Sequence, residues 1–338
     1  MYPERMQPKP FKAGKLPPSL LQHLVFPNLG LRRPEVLVHS ALGEDSTVLD
    51  VGDQVVVLST DPITGASRHK GWLGVHVVCN DLAAMGAEPI GVLVTLLLTD
   101  ADPAGETARV MGEVHQAARE LGIEVLGGHS EVTPGLPNTI ISLTSVGKAP
   151  KASFVTSSGA RPGDALLLSK AAGLEGTAIL ASDRADRLLP LVGREVVERA
   201  QGFIREISVV SEGIAAARAG ASAMHDATEG GVLGAIHELC AASDLGVEVD
   251  VASIPVREET RRICAEFGID PLRLVSSGAL VIAAPDATAV MDALSARGVA
   301  ATVVGRFLVG ERSLVTPAGR LPLEPPEGDE LWRALGLE

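Results

Sequence analysis

Four short motifs of glycine, hydroxyl and acid residues sit beside apolar runs near the start of the chain. They are Gly43-Glu44-Asp45-Ser46, Ser59-Thr60-Asp61, Asn80-Asp81 and Gly127-Gly128-His129-Ser130-Glu131. The runs between them change period. Residues 54–59, with a Val-Val-Val-Leu core, 89–98, 123–126 and 139–147 read as strands, whereas 71–85 and 103–121 read as helices. Acids that recur at the ends of alternating strands and helices predict an α/β layer structure with the polar residues gathered along one rim.

At 338 residues and 35.0 kDa, with 46% hydrophobic residues, the chain can fill two cores. Aromatics make up only 3%, so small and aliphatic residues must do the packing. The net charge of −13 and the lack of a basic block exclude a nucleic-acid surface. The apolar stretch 90–98 falls short of the roughly 20 residues a membrane helix needs, and no signal-peptide h-region opens the chain. A soluble, cytoplasmic protein that does not enter membranes is expected. Cys79, Cys240 and Cys264 form no CxxC pair and are expected to be buried and reduced.

Three parts are expected: an arm at 1–35 with one short helix at 17–25, a first domain at 36–152, and a second at 153–338. In the second domain, 165–169, 221–224, 247–251, 278–283 and 301–306 read as strands. Residues 196–219, 232–242 and 287–298 read as helices. Two glycine turns precede helices there, Gly173-Leu174-Glu175-Gly176-Thr177 and Asp226-Ala227-Thr228-Glu229-Gly230-Gly231, and unsatisfied amides at such places favour an anion.

Asp45, Asp61, Asp81 and Glu131 are the candidate metal ligands, since clustered carboxylates hold Mg²⁺ on phosphates. Each acid taken singly could equally be a turn former or helix cap. Asp81 differs because it interrupts an apolar helix, where an unpaired carboxylate is costly without a cation or donors. His129 is a candidate proton carrier, with a plain hydrogen-bonding role as the alternative. Asp226 and Glu229 could handle protons or position a substrate. No phosphate loop, GxGxxG, GxSxG or kinase set is present.

The motifs, in this order, resemble the aminoimidazole ribonucleotide synthetase (PurM-like) superfamily from about residue 14 to about residue 310, and within it look most like the hydrogenase-maturation protein HypE. The resemblance implies a two-domain α/β fold and a homodimer whose N-terminal domains share a β-barrel, with ATP and Mg²⁺ at that interface. It makes Asp45, Asp61 and Asp81 metal ligands, with Glu131 in support. Glu44, Ser46, Thr60, Asn80, Gly127, Gly128, His129 and Ser130 would surround the nucleotide, with Lys15 folding over its phosphates. Asp226, Thr228 and Glu229 would face a small-molecule or protein-borne acceptor. The implied chemistry is phosphoryl activation of an amide-like or other weak nucleophile. The chain departs from HypE in ending Leu335-Gly336-Leu337-Glu338 without the substrate-carrying cysteine, and from many members in having Glu44 and His129 where aspartate stands. The rival reading is a nucleotide-binding, non-catalytic assembly or scaffold protein in metallocofactor maturation.

Overall fold

A computed structural model describes residues 14–16, 18–64 and 68–337. Residues 1–13 of the expected arm, and Pro17 at the start of its expected helix, lie outside the described residues. The helix itself is a short α1 (Pro18–Leu20) that widens into a π turn over Leu21–Val25.

The first domain is a six-stranded sheet of β1 (Val36–Val38), β2 (Thr47–Asp50), β3 (Gln54–Ile63), β4 (Glu88–Leu98), β5 (Glu124–Val132) and β6 (Ile140–Pro150), in the order β1-β2-β3-β6-β4-β5. Among the described residues of this sheet, only β4 and β5 pair in parallel. Helices α2 (Lys70–Ala84) and α3 (Pro103–Leu121) cover one face. Helix α3 has local reasons to form: Asp102 caps it by accepting from Gly105 N–H at 3.0 Å, Pro103 opens it, and Gly122 ends it in the left-handed region. Its buried residues Val110, Val114, Ala117 and Ala118 make one stripe. Helix α2 is instead buried from Gly71 to Ala84, the mark of a central core helix.

The opposite sheet face is bare. Ile90 and Leu93 of β4 are each 42% exposed and Leu126 of β5 44%, while the alternate residues Val92, Val94 and Leu96 lie under the helices.

The second domain is a seven-stranded sheet of β7 (Ala165–Ser169), β8 (Ala223–Asp226), β9 (Gly246–Asp250), β10 (Leu280–Ala284), β11 (Ala301–Leu308), β12 (Arg312–Thr316) and β13 (Gly319–Pro322), ordered β13-β12-β9-β11-β7-β10-β8. Its helices are α4 (Leu174–Asp183), α5 (Ala185–Val192), α6 (Arg194–Gly202), α7 (Val210–Arg218), α8 (Gly231–Ala242), α9 (Glu258–Phe267), α10 (Ala287–Ser295) and α11 (Glu330–Leu335). One apolar cluster runs from α2 through α4, α5 and α9 to Leu331, so the two domains share a core. Helix α7 approaches α2 so closely that a Cβ on Gly213 would lie 2.4 Å from the Ala83 carbonyl oxygen.

The single helix expected over 196–219 is broken into α6, a 3₁₀ turn at Phe203–Glu206, and α7. Side chains from elsewhere take its backbone groups. Lys170 Nζ donates to the carbonyls of Glu206 and Ser208, and Asn80 binds Ile207 and Val209. The motif at 127–131, expected to follow a strand, lies within β5. Residue 126 bulges out of the β4 pairing, and Gly128 sits at φ +151°, where a Cβ would meet Val94 O at 1.8 Å.

All three cysteines are buried and unbridged, with burial pushing each thiol up to about 12. No helix among the described residues is long and apolar enough to cross a membrane.

Candidate functional site

A cleft of about 320 Å³ opens between the domains. Its acidic end is built from four separate elements: Asp45 in the turn before β2, Asp61 near the end of β3, Asp81 on α2, and the loop after β8. Asp226, at the end of β8, sits behind this end.

Asp81 is 4% exposed, and its Oδ2 accepts from Ser59 Oγ at 2.5 Å; the same hydroxyl lies 3.0 Å from the Asp45 carbonyl oxygen. Burial, then the charges of Asp226, Asp61 and Asp45, raise the Asp81 carboxyl well above its ordinary range. Burial likewise raises Asp61, against the pull of Asp81's hydrogen bond and the Lys15 ammonium. Asp226 is 1% exposed, and neither carboxyl oxygen has a hydrogen-bond partner among the described residues. Burial and then Asp45 push it up to about 8.

His225 is wedged between two acids. Its Nδ1 contacts Asp45 Oδ2, and its Nε2 lies 2.8 Å from Glu238 Oε2. Burial opposes a charge on the ring, but Asp45 and Glu238 outweigh it and hold the pKa well above the usual histidine range. Glu238 answers in kind: burial works against its charge, yet His225 and Lys15 hold it down at about 2. Asp45, His225 and Asp226 bring potential ligand atoms within 4.8 Å of one another. Since both ring nitrogens are taken by carboxylates, the imidazole orients Asp45 and leaves ligation to the oxygens.

These residues fit a hard divalent cation. Carboxylates forced together at a cost of their own ionisation, one of them without any donor, are stabilised when a cation enters. Asp45, Asp61, Asp81 and Asp226 are the oxygens that could hold Mg²⁺.

The remaining expected residues divide. Thr60 and Thr228 line the cleft, as do Lys15, Glu44 and Glu229. Glu44 turns one oxygen to Ser157 N–H at 3.4 Å, and Thr60 Oγ1 donates to Leu143 O at 3.0 Å. Ser46 is buried with its hydroxyl unpartnered and lies outside the cleft wall. Asn80, expected against the nucleotide, is fully buried, and its amide is spent on Ile207 and Val209. Gly127, Gly128, His129, Ser130 and Glu131 lie on edge strand β5, remote from this chain's own cleft, with His129 Nε2 3.1 Å from Glu131 Oε2.

Local sequence reading does not single out as site residues Glu238, Ser277, Asp329 or Trp332, nor Glu175, which it quotes only within a glycine turn. Glu175, 8% exposed at the start of α4, faces the cleft beside Ser277, and burial raises its carboxyl. Ser277 is 1% exposed and its hydroxyl makes no hydrogen bond of ordinary geometry, although it lies close enough to Glu175 to oppose that rise in part. Asp329 accepts from Gly230 N–H at 2.7 Å, Leu331 N–H at 2.7 Å and Val275 N–H at 3.2 Å, so the anion at the mouth of α8 is the protein's own. Burial still pushes Asp329 up to about 7. Trp332 completes the wall. The glycine turn before α4 is likewise satisfied internally, by Ser276 Oγ on Gly173 N–H at 2.7 Å.

The model for AIR synthase related protein, N-terminal domain, matches residues 43–149, and that for the C-terminal domain matches 161–316. The chain belongs to the AIR synthase related family. The carbamoyl dehydratase HypE of Cupriavidus necator is 30% identical over 288 residues, covering 83% of this chain and 79% of that protein. A solved hydrogenase maturation protein HypE in complex with ATP superposes with a TM-score of 0.68 at 23% identity, over 96% of this chain and 98% of that one. ThiL complexed with AMPPCP and TMP gives a TM-score of 0.68 at 21% identity, over 82% and 88%. The two-domain PurM-like fold is shared with both.

Proposed function

We propose that this AIR synthase related chain is an ATP- and Mg²⁺-dependent enzyme that passes the γ-phosphoryl group of ATP to an amide-like or otherwise weakly nucleophilic group on an acceptor. The observation that carries the reading is Asp226, a buried carboxylate that finds no donor among the described residues and stands among three further acids. Asp45, Asp61, Asp81 and Asp226 hold the metal, which when bound neutralises phosphate charge. His225 keeps Asp45 aimed into the cleft. Lys15 and the hydroxyl of Thr228 contact phosphates from the cleft walls, and Glu44 and Thr60, whose hydroxyl is already spent on Leu143 O, border them. At the other end, Glu175 and Ser277 face the acceptor among Val77, Ile179 and Leu331. The chain's residues act mainly by positioning and by fixing charge.

The active form we propose is a homodimer joined through the bare face of the first sheet. Ile90, Leu93 and Leu126 form an apolar patch there, and β5 offers an open strand edge. In that arrangement Gly127, Gly128, His129, Ser130 and Glu131 serve the nucleotide site of the second copy. The acceptor is not carried on Cys79, Cys240 or Cys264, since all three are buried.

Calorimetric titration of ATP with and without Mg²⁺ tests the reading, with Asp226→Asn and Asp81→Ala alongside the native chain. The expected result is binding that requires the metal and is lost in both variants. Binding indifferent to metal and to both substitutions would overturn it.

A further inference from the structure

Three stretches of chain far apart in sequence meet at one carboxylate. Glu229 Oε1 accepts from the indole N–H of Trp332 at 2.8 Å, and Oε2 accepts from the backbone N–H of Lys15 at 3.1 Å. Gly14 is packed onto this junction. A Cβ there would stand 2.1 Å from Glu229 Oε1 and 3.0 Å from Trp332 Nε1, and its φ of +112° is one that side chains rarely adopt. With both oxygens engaged, Glu229 is not free to move protons for an acceptor. Its geometric effect is to fix where Lys15 enters the cleft.

The Lys15 side chain lines the same cleft as Asp45, Asp61 and Asp81. Although the residue as a whole is exposed, removing its ammonium from water has a cost. The charges that reach it are those of Glu238, Asp45, Asp226 and Asp61. A cation of the protein's own thus lines the cleft beside the acids that fit a divalent ion.

We propose that Gly14-Lys15 is a built-in ammonium plug, clamped by Glu229 and Trp332, which neutralises the carboxylate cluster until a divalent cation displaces it. This rests on the reading of that cluster as a metal site. The plug makes metal binding to the free protein weak. It also couples metal to nucleotide, because ATP phosphates give the displaced ammonium a new partner when both arrive together.

The test is titration of Mn²⁺ alone into nucleotide-free protein, read by calorimetry and by the paramagnetic signal of the free ion. Lys15→Met removes the charge, and Gly14→Ala dislodges the strap while leaving every charge in place. Both are expected to bind Mn²⁺ about tenfold more tightly, the size of an ordinary coupling between sites. Lys15→Arg, which keeps a cation, is expected to stay near the native affinity. Circular dichroism establishes that each variant is folded before its affinity is read. Affinity unchanged or weakened in either Lys15→Met or Gly14→Ala overturns the plug alone, provided Asp81→Asn still abolishes binding. Absence of Mn²⁺ binding from every protein, the native chain included, overturns the metal site and the plug together.

Discussion

Asn80 and Val209 are joined across the domain boundary, the Val209 N–H donating to Asn80 Oδ1 at 2.8 Å while the same amide returns a bond from Nδ2 to Ile207 O at 2.8 Å. Neighbours on a helix point ~100° apart. Asp81 therefore faces the acids of the cleft while Asn80 faces the start of α7, although the two are adjacent in one motif.

Asn80→Ala should accordingly behave as a stability variant. It strands two buried backbone groups, and a loss of about 2–4 kcal/mol is expected in denaturant unfolding. ATP affinity of the folded protein should change little. A large drop in affinity with an unchanged unfolding midpoint would contradict this assignment.

Asp81→Asn should separate stability from function in the other direction. The native carboxylate is repelled by Asp226, Asp61 and Asp45, whereas an amide of the same shape still accepts from Ser59. The metal-free variant should be more stable than the native chain, because it sheds that repulsion. Thermal unfolding with and without Mg²⁺ checks this, the native protein gaining stability from the ion and the variant gaining none.

The bare sheet face predicts assembly. Leu93→Glu or Leu126→Glu places a charge in the apolar patch and should shift the protein from dimer to monomer in light scattering. ATP binding should fall with it, because residues 127–131 would then be missing from each cleft. A monomeric native protein that binds ATP normally would contradict the paired arrangement.

His76 gives a pH dependence remote from the cleft. Its ring lies 3.9 Å from that of Trp72, both ring nitrogens lack a hydrogen bond among the described residues, and Glu120 Oε2 is 3.6 Å away. Burial lowers its pKa from 6.5 to about 4, with Glu120 offsetting only part. Between these values the unfolded chain binds a proton that the native ring refuses, so stability rises with pH through this window and falls on acidification. The loss on going from pH 6.5 to pH 4 should be roughly 3 kcal/mol. His76→Gln should remove that share of the slope when unfolding is compared across the window.

The sequence exposes what is local. The alternation of period marks the first sheet and its two helices, and Asp81 stands out because an acid inside an apolar helix demands an explanation. What is hidden depends on distance along the chain. His225 meets Asp45 across 180 positions and Trp332 meets Glu229 across 103, with no spacing to announce either pair. The glycine turns before α4 and α8 look ready for a ligand's anion, yet Ser276 and Asp329 fill them from remote segments. The break between α6 and α7 has the same origin, since Asn80 and Lys170 take its backbone groups. Helix propensity cannot foresee a competitor that arrives only with the tertiary fold.

The buried thiols have a practical corollary. Cys79, Cys240 and Cys264 are shut from solvent and stay protonated at neutral pH, so maleimide and iodoacetamide reagents find no native target in the folded chain. A single cysteine introduced at an exposed position, on the N-terminal strap or on the rim of the cleft, becomes a unique handle for a fluorophore or spin label without prior removal of the natural ones.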